Sequence, residues 1–201
     1  MSAEDGAQPG PDGRLRCPWG LSAEDYVAYH DTEWGRAVHG DDALYERVTL
    51  EAFQSGLSWL TILRRREGFR AAFAGFRIAE VATFTEADEA RLLADTGIIR
   101  NRAKIQAAIT NAKVAASLGE GELDALIWSF APDHERRPAP RTHTGIPAVT
   151  AESTALAKDL KKRGFRFVGP TTAYALMQAC GLVNDHLADC WVRDQMEEGA
   201  G

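Results

Sequence analysis

Two cysteines and two histidines are the residues of this chain best suited to hold a metal: Cys17 and His30 near its start, His186 and Cys190 near its end. His186 and Cys190 stand at i and i+4, on one face of a helix, and two thiolates with two imidazoles suit tetrahedral zinc. Most of the chain separates the two pairs, so this is not a zinc-finger spacing. A metal held there would tie the ends of the domain together. It would be structural, because four protein ligands leave no open position for a substrate or an activated water. The plainer reading is four packed core residues. Cys180 belongs to neither pair and reads as core.

The second set is aromatic. Trp19, Tyr26, Tyr29, Trp34 and Trp59 crowd into one stretch, with Glu51 among them. Aromatic filling of a core accounts for the rings. It does not account for Glu51, which interrupts the apolar run of Leu50, Ala52 and Phe53. A carboxylate there must find a partner, a ligand or a proton.

The third set, Leu160 to Ala173, reads as helix, tight hairpin, helix. Gly164 and Gly169 are expected to take backbone angles closed to other residues, with Phe165, Phe167 and Val168 pinning the turn to the core. Free N–H groups around Gly169 would offer a phosphate site, and Lys161, Lys162 and Arg163 would supply charge beside it. An ordinary helical hairpin with a basic flank fits the same residues.

The elements that must position these groups are helical. Leu44, Val48, Ala52 and Phe53 follow an Asp41 or Asp42 cap, and a Ser58 cap predicts a helix through Trp59, Ile62, Leu63, Phe69 and Phe73. Thr85 and Asp88 resemble a capping box on a short helix closed by Gly97. Further helices are expected at 101–118 and 122–130, from Thr150 or Ser153 to Gly164, and from Pro170 to Cys180. Pro132, Pro138, Pro140 and Pro147 make the segment between them a surface connection. The fold class is all-α. One helical domain over residues 15–193, of two closely packed lobes, is expected between flexible tails at 1–14 and 194–201.

With 201 residues, 45% hydrophobic and 26% charged, the chain has the composition of a globular domain. It has no apolar run near the roughly 20 residues of a membrane span, and its start, Met1 to Asp5, does not resemble a secretory leader. Three scattered cysteines make no disulfide framework. A cytoplasmic monomer with no membrane partner is expected. The net charge of −6 argues against nucleic acid until its distribution is considered, because acidic tails carry most of it. The body holds two basic clusters, Arg64, Arg65, Arg66 and Arg70, then Lys158, Lys161, Lys162, Arg163 and Arg166. These are either solvated helix faces or a nucleic-acid surface.

Several motifs, in order, resemble the 3-methyladenine DNA glycosylase I family. They are Cys17-Pro18-Trp19, the run from Tyr26 to Gly35, Leu50-Glu51, Gln54 to Trp59, Gly97-Ile98-Ile99-Arg100, Lys161 to Phe165, and Gln178 to His186. Together they span about residues 16 to 191. The resemblance implies a helix-hairpin-helix glycosylase, with that motif at about 153–181, which flips an alkylated base out of duplex DNA and hydrolyses its N-glycosidic bond. It implies one structural zinc on Cys17, His30, His186 and Cys190. It also implies a base pocket of Trp19, Tyr26, Tyr29 and Trp59 around a catalytic Glu51, with the base stacked between Tyr29 and Trp59.

Under that reading Gln54, Gly56 and Leu57 touch DNA, Leu57 as a wedge, and Lys161, Lys162, Arg163, Gly164 and Gly169 hold its backbone. Many relatives in the wider superfamily carry an aspartate in a Val-Asp-x-His pattern. Here the run is Val183-Asn184-Asp185-His186, so either Asn184 or Asp185 occupies that place. An amide there implies no Schiff base and no strand cleavage. Whether 3-methylguanine or other lesions are also accepted stays open. Two other readings are a zinc-stapled DNA-binding domain without catalysis and a helical protein-interaction domain.

Overall fold

The computed structural model describes residues 5–133 and 137–198. A short ribbon, β1 (Gln8–Pro9) antiparallel to β2 (Leu15–Arg16), precedes α1 (Glu24–Thr32) and α2 (Asp41–Gln54). Helix α3 (Trp59–Leu63) is capped by Ser58, whose hydroxyl accepts from the Thr61 N–H. After α4 (Arg66–Ala72) and the one-turn α5 (Ile78–Val81), α6 (Glu86–Ala94) opens on the Thr85/Asp88 capping box and α7 (Arg102–Ala116) on Asn101. Helices α8 (Glu122–Trp128), α9 (Ala151–Arg163), α10 (Pro170–Ala179) and α11 (Trp191–Glu198) complete the body.

Helix α2 is the axis. Leu44, Tyr45, Val48, Leu50 and Phe53 on it are buried, and it packs on α3, α5, α7, α8 and α10. One apolar cluster joins residues from Leu44 to Val183 across both halves of the body. A small second cluster of Cys17, Leu187, Cys190 and Val192 forms where the two ends of the chain meet. Among the described residues no helix is long and apolar enough to cross a membrane.

Several expectations need correction. His186 and Cys190 share no helix face, because α10 ends at Ala179 and α11 begins at Trp191, which leaves both on the turns between them. Residues 5–14 are folded: the Asp5 carbonyl accepts from the His143 N–H at 2.8 Å, and Asp12 shares the buried Arg16 guanidinium with Asp31. Their polar residues serve as hydrogen-bond partners, which a reading based on burial misses. At the other end, α11 continues to Glu198 through the stretch expected to be a tail. The single helix expected over Trp59 to Phe73 is two, because Arg65 leaves helical angles and donates to the Thr96 carbonyl.

Candidate active site and metal centre

The termini meet around Cys17, His30, His186 and Cys190. All four are buried, and their donor atoms lie within 4.8 Å of one another. Cys190 Sγ is 3.6 Å from His30 Nε2 and 3.7 Å from His186 Nδ1, and Cys17 Sγ is 3.9 Å from His186 Nδ1. Each imidazole has its other nitrogen engaged. His30 Nδ1 lies 2.8 Å from Asp31 Oδ1, and His186 Nε2 lies 3.0 Å from the Trp34 carbonyl. If the engaged nitrogens carry the protons, the inward ones present lone pairs, the arrangement a metal-binding histidine needs. The donor set and its geometry therefore fit a tetrahedral cation such as zinc.

Trp19 and Trp34 cover this cluster, their rings 5.2 Å from His30 and 4.7 Å from His186. Both also line a cavity of about 400 Å³, together with Tyr26, Tyr29, Glu51, Gln54, Ser58, Trp59, His143, Ile146, Ala175 and Gln178. The five pocket residues read from the sequence thus share one cavity. Tyr26 anchors the start of α3, its hydroxyl accepting from the Leu60 N–H at 2.8 Å.

Glu51 is 5% exposed. Among the described residues it has no hydrogen bond or ion pair. Burial, opposed only by the charge of Arg47, pushes its pKa up to about 8. Tyr29 is also buried, and burial with the nearby Glu51 raises its phenol above the usual range. Trp59 Nε1 is buried without an acceptor among the described residues. The Tyr29 and Trp59 rings are 5.4 Å apart and tilted by 42°. They touch, so a base cannot lie between them until they part. Cys180 is fully buried, with its thiol pushed up to about 12, and is an inert part of the core.

Around the mouth, Leu57 is 40% exposed on the turn between α2 and α3, with Gly56 at a φ of +79°. In the α9–α10 hairpin, Gly164 takes the left-handed conformation as expected, at φ +105°. Gly169 does not: its φ is −79°, and the positive φ of +57° belongs to Phe167, whose side chain is exposed rather than pinned to the core. Lys161, Lys162 and Arg163 are exposed at the end of α9, with Arg163 paired to Asp159. The other cluster is largely consumed, since Arg64 pairs with Asp25, Arg66 with Glu33, and Arg70 with Glu46 and Glu67.

Residues 19–194 match the family model described as methyladenine glycosylase. The chain belongs to the methyladenine glycosylase family. By that membership it is a glycosylase, a hydrolase of N-glycosyl bonds. It is 47% identical over 178 residues to DNA-3-methyladenine glycosylase 1 of Escherichia coli, covering 87% of this chain and 95% of the relative. A crystal structure of 3-methyladenine DNA glycosylase I superposes with a TM-score of 0.81 at 46% identity, covering 88% of this chain and 98% of the other. The 3-methyladenine DNA glycosylase I of Staphylococcus aureus gives 0.79 at 33%, covering 88% and 95%.

Several residues of the site escaped the sequence reading. His143 and Ile146 reach the cavity from the proline-bearing connection, and Ala175 and Gln178 from α10. The Gln178 side chain donates to Asp185 at 2.9 Å, and Asp185 also accepts from the Tyr174 hydroxyl and from Arg137. The Asn184 side chain caps its own turn, accepting from the His186 N–H. Lys104 runs beneath the 54–57 turn and donates to the carbonyls of Phe53 and Ser55 at 2.9 and 2.6 Å. No motif marks His143, Ile146, Ala175 or Lys104, and the run from Gln178 to His186 does not show that Gln178 meets Asp185 beside the cavity, since each works through folding contacts between distant elements.

Proposed function

We propose that this protein excises 3-methyladenine from alkylated duplex DNA by base flipping, without strand cleavage. The unpartnered Glu51 in an aromatic pocket carries the reading. Methylation at N3 leaves a positive charge on the purine. Water adds at C1′, the N-glycosidic bond breaks with its electron pair going to the base, and the base departs neutral while a proton goes to solvent. Such a leaving group needs little acid assistance, so selection against undamaged adenine is the larger task. A buried carboxylate favours the cation, and its charged form is restored when the cation arrives. Tyr29 and Trp59, parted by the incoming base, add cation–π attraction worth about 1–2 kcal/mol.

The surroundings support each further part of the reading. Asp185 is engaged by three donors and Asn184 by its own backbone. Neither side chain is free to activate a nucleophile, which favours a monofunctional enzyme. A Cβ at Gly169 would meet nothing within 4 Å. Neither its backbone angles nor its protein neighbours require glycine, so approach of a phosphate to the α10 N-terminus is the better reason for it. Lys161, Lys162 and Arg163 with Gly164 flank that approach, while Gln54, Gly56 and an exposed Leu57 supply the wedge that fills the vacated stack. One zinc on Cys17, His30, His186 and Cys190 would supply a cross-link between the termini and take no part in the reaction.

The test is chromatography of bases freed from methylated duplex DNA by wild-type protein and by Glu51→Gln. Release of 3-methyladenine with normal bases retained, and impaired release by the variant, is the expected result. Absence of release from folded wild type, with salt-dependent DNA binding, would favour a non-catalytic DNA-binding domain.

A further inference from the structure

We infer that Gln178, held in one orientation by Asp185, reads the exocyclic group of the flipped base and sets the pocket for adenine-type over guanine-type lesions. This rests on the proposed reading of the cavity as a base site. The two N3-methylated purine nucleosides are both cations, so neither aromatic walls nor the charge of Glu51 distinguishes them. Their base edges do. Adenine presents an exocyclic NH₂, a donor, where guanine presents O6, an acceptor.

Gln178 lines the cavity with Glu51. An amide offers a donor side and an acceptor side, and which one a site sees is set by its partners. Here the partner is Asp185, 3% exposed, whose Oδ2 receives the Gln178 Nε2 at 2.9 Å and the Tyr174 hydroxyl at 2.5 Å. Its Oδ1 receives Arg137 Nη2 at 3.1 Å, and the same Nη2 lies 2.9 Å from the Tyr174 oxygen. A carboxylate can only accept, so one N–H of Gln178 is spent on it and the amide is held with its nitrogen toward Asp185. Its Oε1, with no hydrogen bond among the described residues, is left to the cavity. The pocket therefore offers two acceptors, the Glu51 carboxylate and Gln178 Oε1. They match an exocyclic amine and oppose a carbonyl, whose lone pairs would be desolvated against them. Gln178 acts as a specificity residue, and Asp185 as a positioning residue working through it.

The experiment measures 3-methyladenine and 3-methylguanine released from the same methylated duplex by wild type, Gln178→Leu and Asp185→Asn. Gln178→Leu removes the acceptor. Asp185→Asn offers both a donor and an acceptor to Gln178, so the amide is free to turn over. The ratio of adenine to guanine product is expected to fall roughly tenfold or more in both variants, the worth of one buried hydrogen bond. A purely structural loss would lower both products together and leave the ratio unchanged. An unchanged ratio in both variants, with 3-methyladenine still released by wild type, overturns the inference alone. A folded wild type that releases neither base overturns the underlying reading and the inference with it.

Discussion

The Cys/His cluster and the aromatic pocket share a wall of two tryptophans, yet they treat polar groups in opposite ways. In the cluster the outward nitrogen of each imidazole has a partner, and Asp31 behind His30 is itself clasped by Arg16. The Leu187 N–H points at Cys17 Sγ from 3.4 Å. Among the described residues of the pocket, Glu51 is buried with no hydrogen bond and Trp59 Nε1 has no acceptor. Unsatisfied buried polar groups cost stability and are uncommon in native structures. The first region is built to hold the chain together. The second accepts a cost in the empty state that a ligand can relieve.

The largest effect expected from this contrast is loss of the staple. If the cluster holds the proposed zinc, stripping it with a chelator, or replacing the buried Cys190 with serine, should lower the melting temperature by about 10 °C or more, because metal binding energy becomes folding energy. Elemental analysis should find one zinc per chain in wild type and none in the variant. A variant that melts like wild type while carrying no metal would break the comparison, since the cluster would then be ordinary core.

Glu51→Gln should do the reverse, costing activity and adding stability. Excision of 3-methyladenine is expected to fall about 10²–10³-fold, the usual effect of losing a preorganised electrostatic contact. The stability gain depends on pH. Burial raises the Glu51 pKa from 4.5 to about 8, so between these values the folded protein binds a proton that the unfolded chain has lost. Stability from this group is therefore full below about pH 4.5 and declines as pH rises to about 8, by a few kcal/mol. Glutamine has no such proton, so the melting-temperature advantage of the variant should widen across that window. Over the same range kcat/KM of wild type should climb with pH, reach half of its maximum near 8 and level off above it, and that limb should be flat in Glu51→Gln. An advantage independent of pH would mean that Glu51 already has a partner in the empty enzyme.

What the sequence revealed and what it hid divide along the same line. Helices announced by caps, such as α3 at Ser58, α6 at Thr85 and α9 at Thr150, were legible because a cap is a local signal. So were the four cluster residues, whose side-chain types limit what they can do, and Glu51, whose charge is out of place among apolar neighbours. Residues 5–14 were misread because their role is to meet Arg16 and the 143–144 turn, partners invisible to composition. Gln178 opens one of the family-like motifs, but its role was missed for a related reason. A glutamine on a helix is unremarkable until the fold places Asp185 behind it and the cavity before it. Phe167 illustrates the limit of type-based reading, for a large apolar residue occupies the left-handed, exposed position that the hairpin was expected to give to glycine.

The smallest effects should come from the turn at the mouth, where the contrast between satisfied and unsatisfied groups recurs within a few residues. Lys104 is 8% exposed, and its ammonium holds the carbonyls of Phe53 and Ser55, while Leu57 two residues on is left exposed. A cation on carbonyls at the end of α2 is favourable and fixes where the turn stands. Lys104→Met keeps most of the packing but releases that clasp, at a cost of about 1–3 kcal/mol, and should slow excision from duplex DNA several-fold. Leu57→Ala should slow it comparably with no change in melting temperature, because it removes an exposed side chain. Neither should matter for methylated single strands, in which no base has to be pushed from a paired stack. An equal loss on both substrates would place the turn's contribution inside the pocket, and a loss confined to duplex DNA would assign it to extrusion.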